Sequence, residues 1–235
     1  MPAKAKKNEA GFSLLELLMV VMLLSIVVGA LFSQIDRAQV RYKVEDQRLD
    51  LTQQERDFID QFTRDLHQSG YPSTIQFGKR LDLSSRFTAA GIWQISPTVL
   101  SMEADVDGDG IVDEISYQYD AACGCLKRSA SQKQDGVLPW NQPAPTYYTQ
   151  VQNIIPLPTA AAPVFFKAYD TNGTQLDISA GKILNNPTLT DPTYQFLQDI
   201  RNVRITFTTQ GQMRDTDAHK SIQVTMTGMA RLPNN

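Results

Sequence analysis

The sequence predicts an α+β fold: a long N-terminal helix, transmembrane in its first half, packed on an antiparallel β-sheet. Three observations predict it. Residues 12–32, FSLLELLMVVMLLSIVVGALF, are almost wholly apolar and carry a single charge, Glu16. No proline stands between residues 12 and 71, and residues 33–68 are dominated by helix formers. Beyond Pro72 the pattern changes to short alternating runs separated by Gly, Pro, Asn and Asp, and one long helix followed by strands is the arrangement of an α+β domain.

The first element is a short basic tail, residues 1–11, with Lys4, Lys6 and Lys7 against Glu9. The positive-inside tendency holds such a tail in the cytoplasm and places the rest of the chain outside. The apolar run that follows reaches roughly 31 Å as a helix, near the thickness of a bilayer's hydrocarbon core. An ionised carboxylate within it costs about 2.5–3.5 kcal/mol on insertion scales, so Glu16 calls for a partner. A secretory signal peptide has a shorter apolar core and a small-residue cleavage site, whereas this run continues into VVGALFSQ without one. An ordinary single-pass anchor accounts for the hydrophobicity but not for Glu16 near the start of the span.

The helix continues through residues 33–70. Gly29 is its sole interior glycine, and Gly70-Tyr71-Pro72 supplies the stop, so the helix should end near Ser69. Phe58, Ile59, Phe62 and Leu66 recur at helical spacing and make a stripe that belongs on a sheet. Arg56, Asp57, Asp60 and Arg64 fall on the face left to water. The remainder, 71–235, is a single β-rich domain large enough for its own core. Its candidate strands are 91–96, 99–103, 114–119, 126–129, 164–169, 203–208 and 222–229. Residues 132–163 hold six of the twelve prolines with no clear periodicity and read as a long surface loop, its Trp140, Tyr147 and Tyr148 available to a neighbour.

Within the strand region, Asp105, Asp107, Asp109 and Asp113 occupy positions 1, 3, 5 and 9 of a short segment with Gly110 at position 6. This spacing suits a cation that wants hard oxygen ligands from one turn, with the Ile111 carbonyl at position 7 and Asp113 or Glu114 completing the shell. The bidentate Glu of an EF-hand is replaced by Ser116, so the loop is not a full EF-hand. Calcium (Ca2+) is the expected ion, bracing a strand connection without catalysing anything. The alternative is a solvated acidic turn, since Asp and Gly favour turns in any case. Cys123 and Cys125, the only cysteines, are separated by one glycine. They read as free or loosely bridged thiols at a hairpin tip, with a disulfide as the other possibility.

Composition narrows the function classes. The chain carries a net charge of −3, and since its first eleven residues are +2, with three lysines and one glutamate, the remainder is about −5, so no basic face for direct nucleic-acid binding is expected. There is no G-x-S-x-G, H-E-x-x-H or P-loop, and His67 and His219 are far apart, so no enzyme is expected.

The Gly11-Phe12 junction followed by Glu16 resembles the leader of type IV pilins and type II secretion pseudopilins. Further along, FTRDLHQSGYP, DVDGDGIVDEISYQYD, VFFKAYDTNGTQLD, IRNVRITFTTQ and SIQVTMTGMARLPN, in that order, look like PilW-type minor pilins and, more distantly, GspJ-type minor pseudopilins. The resemblance implies that a prepilin peptidase cuts after Gly11 and that the new N-terminal Phe12 is methylated. It also implies that Glu16 is offset by the ammonium of a neighbouring subunit's Phe12, setting register during assembly. The implied protein is a minor pilin that primes or caps a pilus filament. Its partners would be other minor pilins, the major pilin and an inner-membrane assembly platform. It would sit in the inner membrane by one pass before joining a periplasm-spanning or surface filament. A secretion pseudopilin and a membrane-tethered calcium-dependent binding module are the alternatives.

Overall fold

The computed structural model describes residues 13–73, 82–155, 163–186, 190–214 and 221–233. Gly11 and Phe12, on which the processing expectation falls, lie outside the described residues, as do residues 156–162 of the proline-rich segment.

A single helix, α1, runs over Leu14–Gln68. Ser69 caps it, and Gly70, at φ 76°, takes the left-handed position of a turn closed by Tyr71 N–H donating to the Gln68 carbonyl at 3.0 Å. The expected stop is therefore in place. The Gly70 N–H, however, donates outside the helix, to the Glu103 carbonyl at 2.9 Å, and the Asp105 N–H returns to the Tyr71 carbonyl at 2.9 Å. These two bonds stitch the end of the helix to the root of the acidic turn.

The strands are β1 (Gly91–Ile95), β2 (Val99–Ala104), β3 (Asp113–Asp120), β4 (Cys125–Gln132), β5 (Tyr148–Val151), β6 (Ile154–Ile155), β7 (Phe166–Tyr169), β8 (Gln175–Leu176), β9 (Lys182–Ile183), β10 (Asn202–Arg214) and β11 (Ser221–Arg231). They form two antiparallel sheets where one was expected. The first is ordered β5-β4-β3-β2-β1-β9; the second is ordered β11-β10-β7-β8, with β6 paired to β10. A short helix, α2 (Pro192–Asp199), precedes β10, and its first turn is capped by Asp191, which accepts from the N–H groups of Thr193 and Tyr194.

The helix serves both sheets. Phe58, Phe62 and Leu66 are buried and Ile59 packs beside them, while Arg56, Asp57, Asp60 and Arg64 are exposed as the periodicity predicts. Phe62 meets Tyr117 of the first sheet edge-on, with centroids 5.2 Å apart, and Phe166 of the second at 6.1 Å. Phe58 likewise lies 5.8 Å from Tyr117 and 5.5 Å from Phe207. One aromatic stripe thus closes a common core, because each sheet has an apolar face that needs cover.

The proline-rich segment also differs from expectation. It is not a loop held apart from the domain: Pro139 is buried in a short 3-10 turn, Trp140 packs on the core, β5 extends the first sheet and β6 joins the second. Val151 and Ile154, both buried, fasten it at the two ends of that crossing.

Candidate functional sites

The first candidate site is the N-terminal half of α1. Ser13 precedes its first turn, and Glu16 lies in that turn. Every residue from 14 to 32 is exposed in the isolated chain, and the most apolar window of this helix has a mean hydropathy of 2.7. A surface of this kind is unstable in water and requires lipid or other apolar helices around it. Glu16 is exposed with the rest, so its carboxylate is available to a group from outside the chain.

The second candidate is the turn between β2 and β3. Ligand atoms of Asp105, Asp107 and Asp109 lie within 4.8 Å of one another. The turn is organised by its own side chains: Asp105 accepts from the N–H groups of Gly108 at 2.8 Å and Gly110 at 3.1 Å, and Asp109 accepts from the N–H of Ile111 at 2.7 Å. Gly108 and Gly110 both have positive φ, 78° and 82°, which glycine adopts without strain. Asp113 opens β3 beside this group. Burial, and then the charges of Asp107, Asp109 and Asp105, push its carboxyl up to about 6 against a backbone hydrogen bond from Val106.

Glu114 is placed elsewhere. Adjacent residues of a strand point to opposite faces, and Glu114 is the cross-strand partner of Glu103. Burial, and then the Glu103 charge, lift Glu114 to about 7, with Lys133 acting in the other direction. Of the two acids expected to complete the shell, Asp113 is the one that feels the charges of all three loop carboxylates, although it lies outside the group of three whose oxygens converge.

Cys123 and Cys125 are joined in a disulfide, with their Cα atoms 5.3 Å apart across Gly124. Of the two readings the sequence leaves open, free or loosely bridged thiols and a disulfide, the structure has the disulfide, a closed ring at the β3–β4 turn. The Gly124 carbonyl accepts from the Ile154 N–H at 2.8 Å, so the ring also anchors β6.

Three buried polar clusters were not anticipated. Asp65, 1% exposed, accepts from Tyr117 Oη at 2.6 Å, Arg128 Nε at 2.7 Å and Gln61 Nε2 at 2.6 Å. Burial first, and then the Asp65 charge, hold the Tyr117 phenol well above its usual range. The Lys133 ammonium, fully buried, pairs with Glu103 at 2.8 Å and donates to the Thr88 carbonyl at 3.0 Å. Glu55 accepts from Thr209, and its other oxygen has no partner among the described residues. In sequence Asp65 and Glu55 differ in no local way from their solvated neighbours; only their angular position on the buried side of α1 could have marked them.

Residues 6–32 match the prokaryotic N-terminal methylation motif, the leader type of type IV pilins and pseudopilins. No curated protein and no solved structure matches the chain.

Proposed function

We propose that this chain is a filament subunit of the type IV pilin or pseudopilin kind, made as a precursor, cut after Gly11, methylated at Phe12 and inserted in the inner membrane by residues 12–32. The observation that carries this reading is the methylation motif over residues 6–32, joined to an apolar helical surface that nothing among the described residues covers. Pulling such a helix from lipid is offset when it is buried again among equivalent helices, and Glu16 opposite a neighbour's new amine selects one register out of many. The role is that of a minor pilin, priming or capping a filament with the major pilin and other minor pilins on an inner-membrane platform.

The acidic turn fits a calcium ion by the chemistry of its donors, all hard oxygens converging from one segment. Asp105, Asp107, Asp109 and Asp113, with the Ile111 carbonyl, would hold it. The ion would supply positive charge where four carboxylates crowd, and its role would be to fix the β2–β3 connection. The same loop favours the second reading, a membrane-tethered calcium-dependent binding module without a filament.

Mass spectrometry of the mature N-terminus separates the two. N-methyl-Phe12 is expected; an intact Met1 would overturn the filament reading. Glu16→Ala should leave membrane insertion unchanged while abolishing incorporation into filaments, and normal incorporation would remove the pairing role.

A further inference from the structure

Lys133 follows directly on β4, and its ammonium meets the Glu103 carboxylate of β2 at 2.8 Å with neither side chain reaching solvent. Two charges taken wholly out of water are costly to keep as an ion pair, because the desolvation of each works against their attraction. The hydrogen bonds around the pair are uneven. Glu103 Oε2 accepts from Lys133 Nζ and also from the Ala90 N–H at 2.8 Å, whereas Oε1 is buried with no partner among the described residues. The Thr88 carbonyl accepts from Nζ at 3.0 Å, and the Lys133 N–H donates to the Val112 carbonyl at 2.8 Å, so both ends of the lysine are fixed.

A third group stands beside the pair. Glu114 of β3 is buried, is the cross-strand partner of Glu103 and so shares its sheet face, and feels the charges of both Glu103 and Lys133. An amine and a carboxyl held in contact, away from water and next to a group able to carry a proton, have the arrangement that joins them. Such positioning is worth effective concentrations on the order of 10⁵ M or more. An ammonium and a carboxylate also contain between them every atom of an amide and one water, so no proton is exchanged with solvent.

We propose that Lys133 Nζ and Glu103 Cδ become joined in an intramolecular amide that ties the end of β4 to β2 across β3. Glu114 carries two protons in turn from Nζ to Glu103 Oε1 and ends as it began. The nitrogen lone pair forms the Nζ–Cδ bond, the Cδ–Oε1 bond breaks, and Oε1 leaves with the two protons as water; nothing is oxidised or reduced. The Ala90 N–H stays on Oε2, where negative charge gathers while Cδ is tetrahedral and which becomes the amide oxygen. The unpartnered Oε1 is the oxygen that no donor holds back. The bond encloses the acidic turn and the Cys123–Cys125 ring in one covalent loop. It begins at the residue whose carbonyl already accepts from Gly70 at the end of α1, so a pull on the helix would be passed from β2 to β4 through a covalent bond.

The test is peptide mass spectrometry of the full chain, purified from membranes in mild detergent, reduced, alkylated and cut with trypsin, which does not cleave after an acylated lysine. One branched peptide is expected, lighter than its two parent segments by one water, with fragments that place the link between Glu103 and Lys133. Lys133→Arg, which keeps the positive charge, should give linear peptides only. Glu114→Gln, folded as judged by a circular dichroism spectrum like that of wild type, should lower the bridged fraction of freshly made chain by roughly tenfold or more, and Glu114→Asp, which keeps a carboxyl, should retain the bridge. Wild type that yields only linear peptides, cut after Lys133, overturns the inference and leaves an ion pair, and a link to any other carboxyl, Glu114 included, overturns it too. A Glu114→Gln chain bridged as fully as wild type overturns the proton route through that residue. The wild-type peptide decides the bond whether or not the variants fold. None of these outcomes depends on cleavage after Gly11 or methylation of Phe12, so the inference and the filament reading stand or fall apart.

Discussion

At the scale of single residues, the buried carboxylates carry most of the information. Glu55 is 1% exposed and faces β10 from α1, with only Thr209 donating to it among the described residues. Burial raises its pKa from the ordinary 4.5, the hydrogen bond from Thr209 opposing the shift. The folded chain therefore holds this proton more tightly than the unfolded chain does. Its contribution to stability is fully present below about pH 4.5 and is lost as pH rises through the elevated folded value. Glu55→Gln, which cannot ionise, should flatten that decline: the variant gains on wild type as pH rises from 4 to 7, as read from urea midpoints across the range. A parallel pH dependence in the two proteins would mean that folding leaves the Glu55 pKa unchanged. Gly228 is legible only in three dimensions. A Cβ there would lie 2.8 Å from two carbons of Ile59, so glycine is what lets α1 approach β11 closely.

Among the elements, the β2–β3 turn is the part whose clustered carboxylates are legible in the spacing and whose surroundings are not. Its roots are held by main-chain bonds to the helix end, through Gly70–Glu103 and Asp105–Tyr71. Fixing the turn should therefore stabilise the helix terminus as well as the hairpin. Calcium at a hundredfold excess over its dissociation constant should add about 2.7 kcal/mol to folding stability. The expected outcome is a melting temperature that falls on chelation and returns with calcium, and Asp105→Asn combined with Asp107→Asn should abolish the response. An unchanged melting temperature in chelator would count against the ion. The long helix, its stop and seven of the strands were legible because each carries a clear period or a strong terminator. Other elements were not. α2 is only eight residues long, although Asp191-Pro192 is a helix-start signal in retrospect. β5 and β6 were hidden because a strand of two to four residues among prolines shows no period, and its pairing is fixed by partners distant in the chain.

For the whole molecule, the question is how a force on the N-terminal helix reaches the domain it carries. Apolar packing of Phe58 and Phe62 is non-directional and allows sliding, whereas Asp65 is held by three donors, two of them on the first sheet. Arg128 is 18% exposed and Asp65 only 1%, so water screens this pair far less than a surface one. The second sheet has no ion pair to the helix among the described residues; it is tied to α1 by the hydrogen bond from Thr209 to Glu55, by Phe58, Ile59 and Phe62, and by the close approach at Gly228. The charged tie at Asp65 therefore holds the helix to the first sheet more firmly than the single hydrogen bond at Glu55 holds it to the second. Removing one member should cost more than removing both, because a lone buried charge is left behind. Asp65→Ala should destabilise the chain by about 3 kcal/mol, and Arg128→Leu added to it should recover part of that loss. The measurement is a double-mutant cycle by denaturant unfolding of the detergent-solubilised chain. Additive losses in the two single variants would show that Asp65 and Arg128 act separately and that this pair does not set the angle between helix and first sheet.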